Sequence, residues 1–219
     1  MKLRLLRLGC ILFFLPFFNV AFAATDTAKA KPGFWKSMKE NTDTAVFAMG
    51  CFWCGEEAFY NKKHEHLPGI IAVRVGYGGG DAPNPSYENH PGYREVVKVE
   101  YAPSIISYDQ LLEIFWHNID PFDANGQFCD QGDAYKAAIF YQNEKQKAAA
   151  EKSLKHQALA HNSEKVATDI LPIKNYQDAE DYHQDYSVKN PIRYQYYRWR
   201  CGRDKRLNEV WKDWAYTFH

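Results

Sequence analysis

An α+β domain is predicted for residues 44–219, with a β-α-β-β-α-β core over residues 44–141 and added helices and a tail towards the C-terminus. That order is the split βαβ arrangement of ferredoxin-like folds. Three observations predict it. Four short runs rich in Val, Ile, Phe and Tyr have the length or the alternation of strands. Two segments between them carry the charge order or the apolar spacing of helices. A chain of 219 residues with no internal repeat also has room for one sizeable domain, or at most two small ones.

The elements follow in order. "TAVFAMG" is a short apolar run that suits a buried strand and stops at Gly50. "CFWCGEEAFYNKK" carries Glu56 and Glu57 early and Lys62 and Lys63 at its end, the order a helix dipole favours. "IIAVRVGY" is a second strand, closed by the glycines at 78–80. In "REVVKVEYAP", Val97, Val99 and Tyr101 share one face and Lys98 and Glu100 the other, so this strand is half-buried. "SYDQLLEIFWHNID" predicts a helix capped by Ser107 or Asp109, with Leu111, Leu112, Phe115 and Trp116 on its apolar stripe. "KAAIFYQ" closes the core as a strand, and "NEKQKAAAEKSLKHQALA" is the plainest helix of the chain. "ATDILPIK" predicts a further strand and "AEDYHQDYSVKN" a last helix before Pro191.

The first residues have the pattern of an export signal. Lys2, Arg4 and Arg7 precede an apolar "CILFFLPFFNV", and "AFA" before Ala24 fits a cleavage site. An uncleaved membrane anchor is the alternative, but the apolar stretch is short for a bilayer and Pro16 interrupts it. Residues 1–23 are therefore expected to be removed and the protein to be periplasmic or secreted, with 24–43 as a polar leader. The whole chain has equal numbers of basic and acidic residues, 27 of each, so removing the signal leaves it slightly acidic. That excludes a general nucleic-acid or membrane-surface role, in spite of the Tyr, Trp and Arg of "YYRWRCGRDKR".

Four cysteines then remain: Cys51, Cys54, Cys129 and Cys201. A metal centre needs about four ligands, and only one CxxC pair is present, so no metal is expected. Cys51 falls where the first strand meets the first helix, beside unpaired helical N–H groups, and a thiolate is expected there. Two readings stay open on the residues alone. A thioredoxin-like disulfide oxidoreductase would use Cys51 and Cys54, although Phe-Trp between them would hinder docking on a large protein disulfide. A secreted binding module would pair Cys51 with Cys54 and Cys129 with Cys201.

"GCFWCGEEAF" resembles the signature of the A class of peptide methionine sulfoxide reductases. The likeness continues through "VGYGGGDAPNPSYENHPGYREVVKVEYAP" and "IDPFDANGQFCDQGDAYKAAIF", and spans most of residues 44–200. The resemblance implies reduction of methionine-S-sulfoxide, free or in proteins, with Cys51 as nucleophile. It implies that Phe52 and Trp53 form an apolar cup for the substrate methyl, and that Tyr87 and Tyr135 hold the sulfoxide oxygen. Glu95 matches the general acid and Asp130 a supporting aspartate. A sulfoxide has a positive sulfur and a strongly accepting oxygen, so aimed O–H donors are what a thiol attack requires. Glu95 would then need a raised pKa, which an aromatic-lined pocket supplies.

The sulfenic acid left on Cys51 requires a second thiol. Cys201 and Cys54 are the candidates, and the C-terminal position of Cys201 favours it by resemblance. The sequence departs from the commoner pattern at Cys54, at Tyr93 and Arg94, and at Cys129. No cofactor is implied. The expected partners are oxidised proteins or free methionine sulfoxide and a thioredoxin-like dithiol, and the enzyme is expected to be a monomer.

Overall fold

The computed structural model describes residues 41–212, apart from 61, 62, 64 and 162–164. The predicted export signal, most of the leader and the final tail lie outside the described residues.

Six strands form the main sheet. They are β1 (Asp43–Ala48), β2 (Ile70–Gly78), β3 (Arg94–Tyr101), β6 (Ala138–Tyr141), β7 (Asp169–Pro172) and β8 (Tyr176–Asp178). A separate short hairpin joins β4 (Gly126–Gln127) to β5 (Asp130–Gln131). The sheet runs β7-β6-β1-β3-β2-β8, so the four core strands interleave as β6-β1-β3-β2. Every pair among these four is antiparallel, β8 adds antiparallel at one edge, and β7 adds parallel at the other. The chain is thus a mixed α/β sheet with helices, as the strand and helix patterns predict.

β1 is buried on both faces because each has its own apolar layer. Ala45 and Phe47 join the large core, where Phe47 stacks on Phe59 and Phe115, while Val46 and Ala48 pack with Val96, Ala138 and Phe140. The two-residue period of β3 puts Glu95 on the same face as Val97, Val99 and Tyr101, inside the core rather than in water.

α1 (Phe52–Glu57) is shorter than the charge pattern predicts. Its ladder tightens to i→i−3 bonds, Phe59 N–H to the Glu56 carbonyl and Tyr60 N–H to the Glu57 carbonyl. The chain then turns back, and Leu67 N–H donates to the Phe59 carbonyl. α2 (Tyr108–His117) follows its prediction: Ser107 caps it in a reciprocal box with Gln110, and all four stripe residues are buried. α3 (Glu144–Ala160) is capped by Asn143.

The predicted last helix over 179–190 is broken. Asp181–His183 make a 3₁₀ turn, Asp185 takes a left-handed conformation, and only Tyr186–Lys189 (α4) are helical. Tertiary bonds outweigh local propensity here. The Gln184 amide bonds both Val75 backbone groups, and the Glu56 carboxylate takes the N–H groups of Asp185 and Tyr186 at 2.8 and 3.2 Å. Two further helices, α5 (Pro191–Arg200) and α6 (Arg203–Trp211), follow where only a tail is predicted beyond Pro191. No described helix is long and apolar enough to cross a membrane.

Candidate active site

The site begins at the turn out of β1. Gly50 has φ +80°, and a Cβ there would sit 2.5 Å from Gln127 Cβ, so glycine is required twice over. The turn delivers Cys51 as the N-cap of α1, in an extended rather than helical conformation. Its carbonyl accepts the N–H groups of Cys54 and Gly55, each at 3.1 Å, which folds the CxxC back on itself. Cys51 and Cys54 are free thiols, both buried, in a cluster with Tyr194 against Trp53, Tyr186 and Tyr197.

The proton arrangement differs from the expected Cys51 thiolate. The Phe52 N–H at the helix start is taken by Glu95 Oε2 at 2.9 Å. Burial, above all, raises the Cys51 thiol well above its ordinary value, and its hydrogen bond to Cys54 adds to this. Cys54 is instead lowered to about 6, first by that same bond and then, against the cost of burial, by Arg203 and Arg198. The two thiols are joined by one hydrogen bond, and Arg203 and Arg198 act in favour of charge on Cys54.

Glu95 carries the opposite adjustment. Burial raises it to about 8, so it is protonated at neutral pH and able to donate. Around it stand the predicted phenols. Tyr135 ends a 3₁₀ turn (Asp133–Tyr135) just before β6, and burial followed by Glu95, Tyr87, Asp130 and Cys51 raises its hydroxyl above the ordinary range. Tyr87 is shifted the same way, by burial and then Glu95 and Cys51, while its backbone N–H is pinned by Glu180 at 3.0 Å. Asp130, on the β4–β5 hairpin, accepts the Tyr197 hydroxyl, and burial raises its carboxyl. The Phe52 ring stacks on Tyr87 and tilts against Trp53, with ring centroids 6.4 Å apart in both pairs. The structure therefore brings Cys51, Phe52, Trp53, Tyr87, Glu95, Asp130 and Tyr135 into one cluster.

Cys201 is a different matter. It is bonded to Cys129, so the preferred C-terminal candidate is not a free thiol, whereas Cys54 is free and hydrogen-bonded to Cys51. Two positions within one helix would make an awkward crosslink, but Cys51 stands outside α1 as its cap. Of the two bridges a binding module would need, only Cys129–Cys201 is present among the described residues. Cys129, Asp130 and Cys201 are close enough to share an ion, but both sulfurs are already engaged in that bond.

Several site residues escape the sequence reading. His183 accepts the Trp53 indole N–H through Nδ1 at 3.1 Å, and Tyr186 stacks on the same indole at 3.8 Å. An indole nitrogen only donates, so the His183 proton lies on Nε2. Glu56 holds the 185–186 turn beneath α1, and Tyr197 reaches both Cys51 and Asp130. For Tyr197 a signal exists: it lies one helical turn before Cys201, so reading "PIRYQYYRWRC" as a helix places the two on one face. His183 leaves no such trace, since its partner is 130 positions away.

A free, buried thiol pair at a helix start, facing a protonated carboxyl within an aromatic cup, defines a thiol-based oxidoreductase. Comparison with known proteins gives the particular family. The peptide methionine sulfoxide reductase profile matches residues 43–215. The chain is 44% identical over 181 residues to peptide methionine sulfoxide reductase MsrA of Bacillus subtilis, covering 80% of this chain and 98% of that one. It is 43% identical to the Bacillus licheniformis protein of the same name over 181 residues, covering 80% and 96%. Among solved structures it resembles methionine sulfoxide reductase A of Corynebacterium diphtheriae, with TM-score 0.62, 30% identity, and 69% and 76% of the chains covered. Reduced Mxr1 from Saccharomyces cerevisiae gives TM-score 0.62 and 31% identity, covering 69% and 87%. The chain belongs to the peptide methionine sulfoxide reductase family and is an enzyme of that class.

Proposed function

We propose that Cys51 attacks the sulfur of methionine-S-sulfoxide, free or in proteins, and that Glu95 protonates the oxygen as the bond forms. One observation carries this reading: a buried carboxyl that keeps its proton to about pH 8 is held, through the Phe52 N–H, one residue from a buried thiol. Phe52 and Trp53 wall the site for the methyl group, and the Tyr87 and Tyr135 hydroxyls donate to the oxygen as negative charge gathers there. Asp130 supports them from the hairpin. As Cys51 attacks, its proton passes to the Cys54 thiolate along their hydrogen bond.

Collapse of the adduct releases methionine and leaves Cys51 as a sulfenic acid. The Cys54 sulfur then attacks the Cys51 sulfur, forming a disulfide, and the hydroxyl leaves as water with the Cys54 proton. An external dithiol gives two electrons and two protons, which restore the Cys51 thiol, the Cys54 thiolate and the proton of Glu95. The sum is methionine sulfoxide plus dithiol to methionine, disulfide and water. A thioredoxin-like protein is the proposed dithiol, acting on a monomer in the periplasm or outside the cell, as the N-terminal pattern of residues 1–23 supports.

The test is one turnover with excess methionine sulfoxide and no reductant, followed by mass mapping of the new crosslink. A Cys51–Cys54 peptide supports the scheme. A crosslink of Cys51 to Cys129 or Cys201 would return the resolving role to the second pair, and no methionine would remove the nucleophile assignment.

A further inference from the structure

Tyr197 lies outside the set of residues that bind or protonate the sulfoxide in the scheme above, yet it touches more of the site than most of them. Its side chain packs against the Cys51–Cys54 cluster, and its hydroxyl donates to Asp130 Oδ2. Its ring meets Trp53 edge-on, with centroids 5.9 Å apart at 84°. It is carried by α5, which comes from far along the chain, so something must fix that helix against the β4–β5 hairpin.

The fixing element is covalent. Cys201 follows Tyr197 by four residues, one helical turn, and Cys129 directly precedes Asp130. The Cys129–Cys201 bond and the Tyr197–Asp130 hydrogen bond therefore join the same two elements, side by side. The Cys129 N–H also points at Cys201 Sγ, 3.2 Å away, and Cys201 Sγ lies 3.9 Å from Asp130 Oδ2. With the sulfurs joined, α5 cannot turn or slide without breaking the hydroxyl–carboxylate contact. On the other side Tyr194 bonds Glu57 of α1, and Arg198 bridges Glu57 to Asp204. The helix is held at both flanks of the Cys51–Cys54 pair.

We infer that Tyr197 is a positioning residue for the Cys51 sulfur and that the Cys129–Cys201 disulfide is the clamp that keeps it there. The inference rests on the assignment of Cys51 as nucleophile. It gives the second cysteine pair a structural part in the reaction, with no sulfur of that pair exchanging during turnover. The Tyr197 hydroxyl donates its one hydrogen to Asp130, which holds the side chain against the Cys51 sulfur, and the clamp removes the freedom of α5 that would otherwise have to be lost on each approach of substrate.

The experiment is a rapid-quench measurement of the first turnover. The protein has Cys51 and Cys54 free and Cys129–Cys201 intact, as verified by thiol mapping, and receives methionine sulfoxide without reductant. Tyr197→Phe keeps the ring against Trp53 and removes only the hydroxyl. It is expected to slow the saturated first turnover about 10–100-fold, with the half-saturating sulfoxide concentration unchanged, the scale of a reacting group displaced by about an ångström. Cys129→Ser and, independently, Cys201→Ser are expected to slow it several-fold. In the Tyr197→Phe background either serine change should then have no further effect, because the contact it protects is already gone. A wild-type first turnover in Tyr197→Phe overturns the positioning role, and fully multiplying effects of the two changes overturn the clamp. If the wild-type protein releases no methionine, it is the nucleophile assignment that fails, and this inference fails with it.

Discussion

The two cysteine pairs of this chain make opposite use of the same chemistry. Cys51 and Cys54 are three positions apart and remain thiols, while Cys129 and Cys201 are 72 positions apart and bonded. The first pair is buried beneath Tyr194, with Arg198 and Arg203 close enough to favour charge on Cys54. Arg203 is itself buried and donates to the Met49 and Asn118 carbonyls, with no carboxylate in salt-bridge range among the described residues. The second pair joins a hairpin to a helix near the surface, with Cys129 exposed. Closeness along the chain therefore does not decide which sulfurs pair. A pair kept as thiols can respond to an oxidised Cys51, and a pair already joined can hold the walls of the site.

The sharpest way to break this contrast is Cys51→Ser. Methionine release from the sulfoxide should fall at least about a thousandfold, as for other covalent nucleophiles. Chromatography of free methionine measures it, and residual turnover near the wild-type rate would move the reaction to another sulfur.

Glu95→Gln comes next, with a loss of about 10²–10³ in the saturated rate. It also sharpens the contrast, because Glu95 is held at the buried thiol pair through the Phe52 N–H. Glu95 is protonated below about pH 8, so the wild-type rate should fall as pH rises through that value. The variant should lack that limb. A variant profile with the same alkaline fall would assign the limb to another group.

Cys54→Ser is expected to act more mildly. The first methionine should still appear, more slowly for want of the thiolate that receives the Cys51 proton. A trappable sulfenic acid should then persist on Cys51. Steady turnover with a dithiol should drop about tenfold or more, on the scale of a lost general base. Unchanged steady turnover would mean that the external dithiol attacks the sulfenic acid directly.

Much of this arrangement is legible from residue patterns, and the exceptions have a common cause. β1, β3 and α2 follow from alternation, apolar runs and capping, because their neighbours reinforce what the local sequence prefers. The position of Glu95 follows from the period of β3, once Val97 and Tyr101 are known to face the core. The roles of Tyr87, Tyr135 and Asp130 come only through resemblance, since nothing local marks a turn tyrosine as a donor. What the sequence does not disclose is set by distant contacts. α1 stops early, the 179–190 segment breaks around Glu56 and Gln184, and His183 meets Trp53 across 130 positions. The Cys129–Cys201 pairing belongs with these, because spacing alone allows Cys51, Cys54 or Cys129 as the partner of Cys201.

The smallest expected effect concerns the floor of the thiol site rather than its chemistry. Glu56 is fully buried on the inner face of α1, and burial raises it to about 7. In the unfolded chain a glutamate loses its proton near 4.3, so from there to about pH 7 the folded protein keeps a proton that the unfolded chain has released. Through this group, stability is fully present below the unfolded value and is lost as pH rises to about 7. Glu56→Gln keeps one acceptor for the Asp185 and Tyr186 N–H groups and cannot titrate. It should cost about 1 kcal/mol from the lost second bond, and its urea midpoint should decline less than that of the wild type between pH 5 and 7. Glu95 contributes a fall of the same sign in both proteins, so the comparison isolates Glu56. Equal slopes in the two proteins would mean that Glu56 is ionised in the folded state, and that the thiol site rests on a charge rather than on a neutral acid.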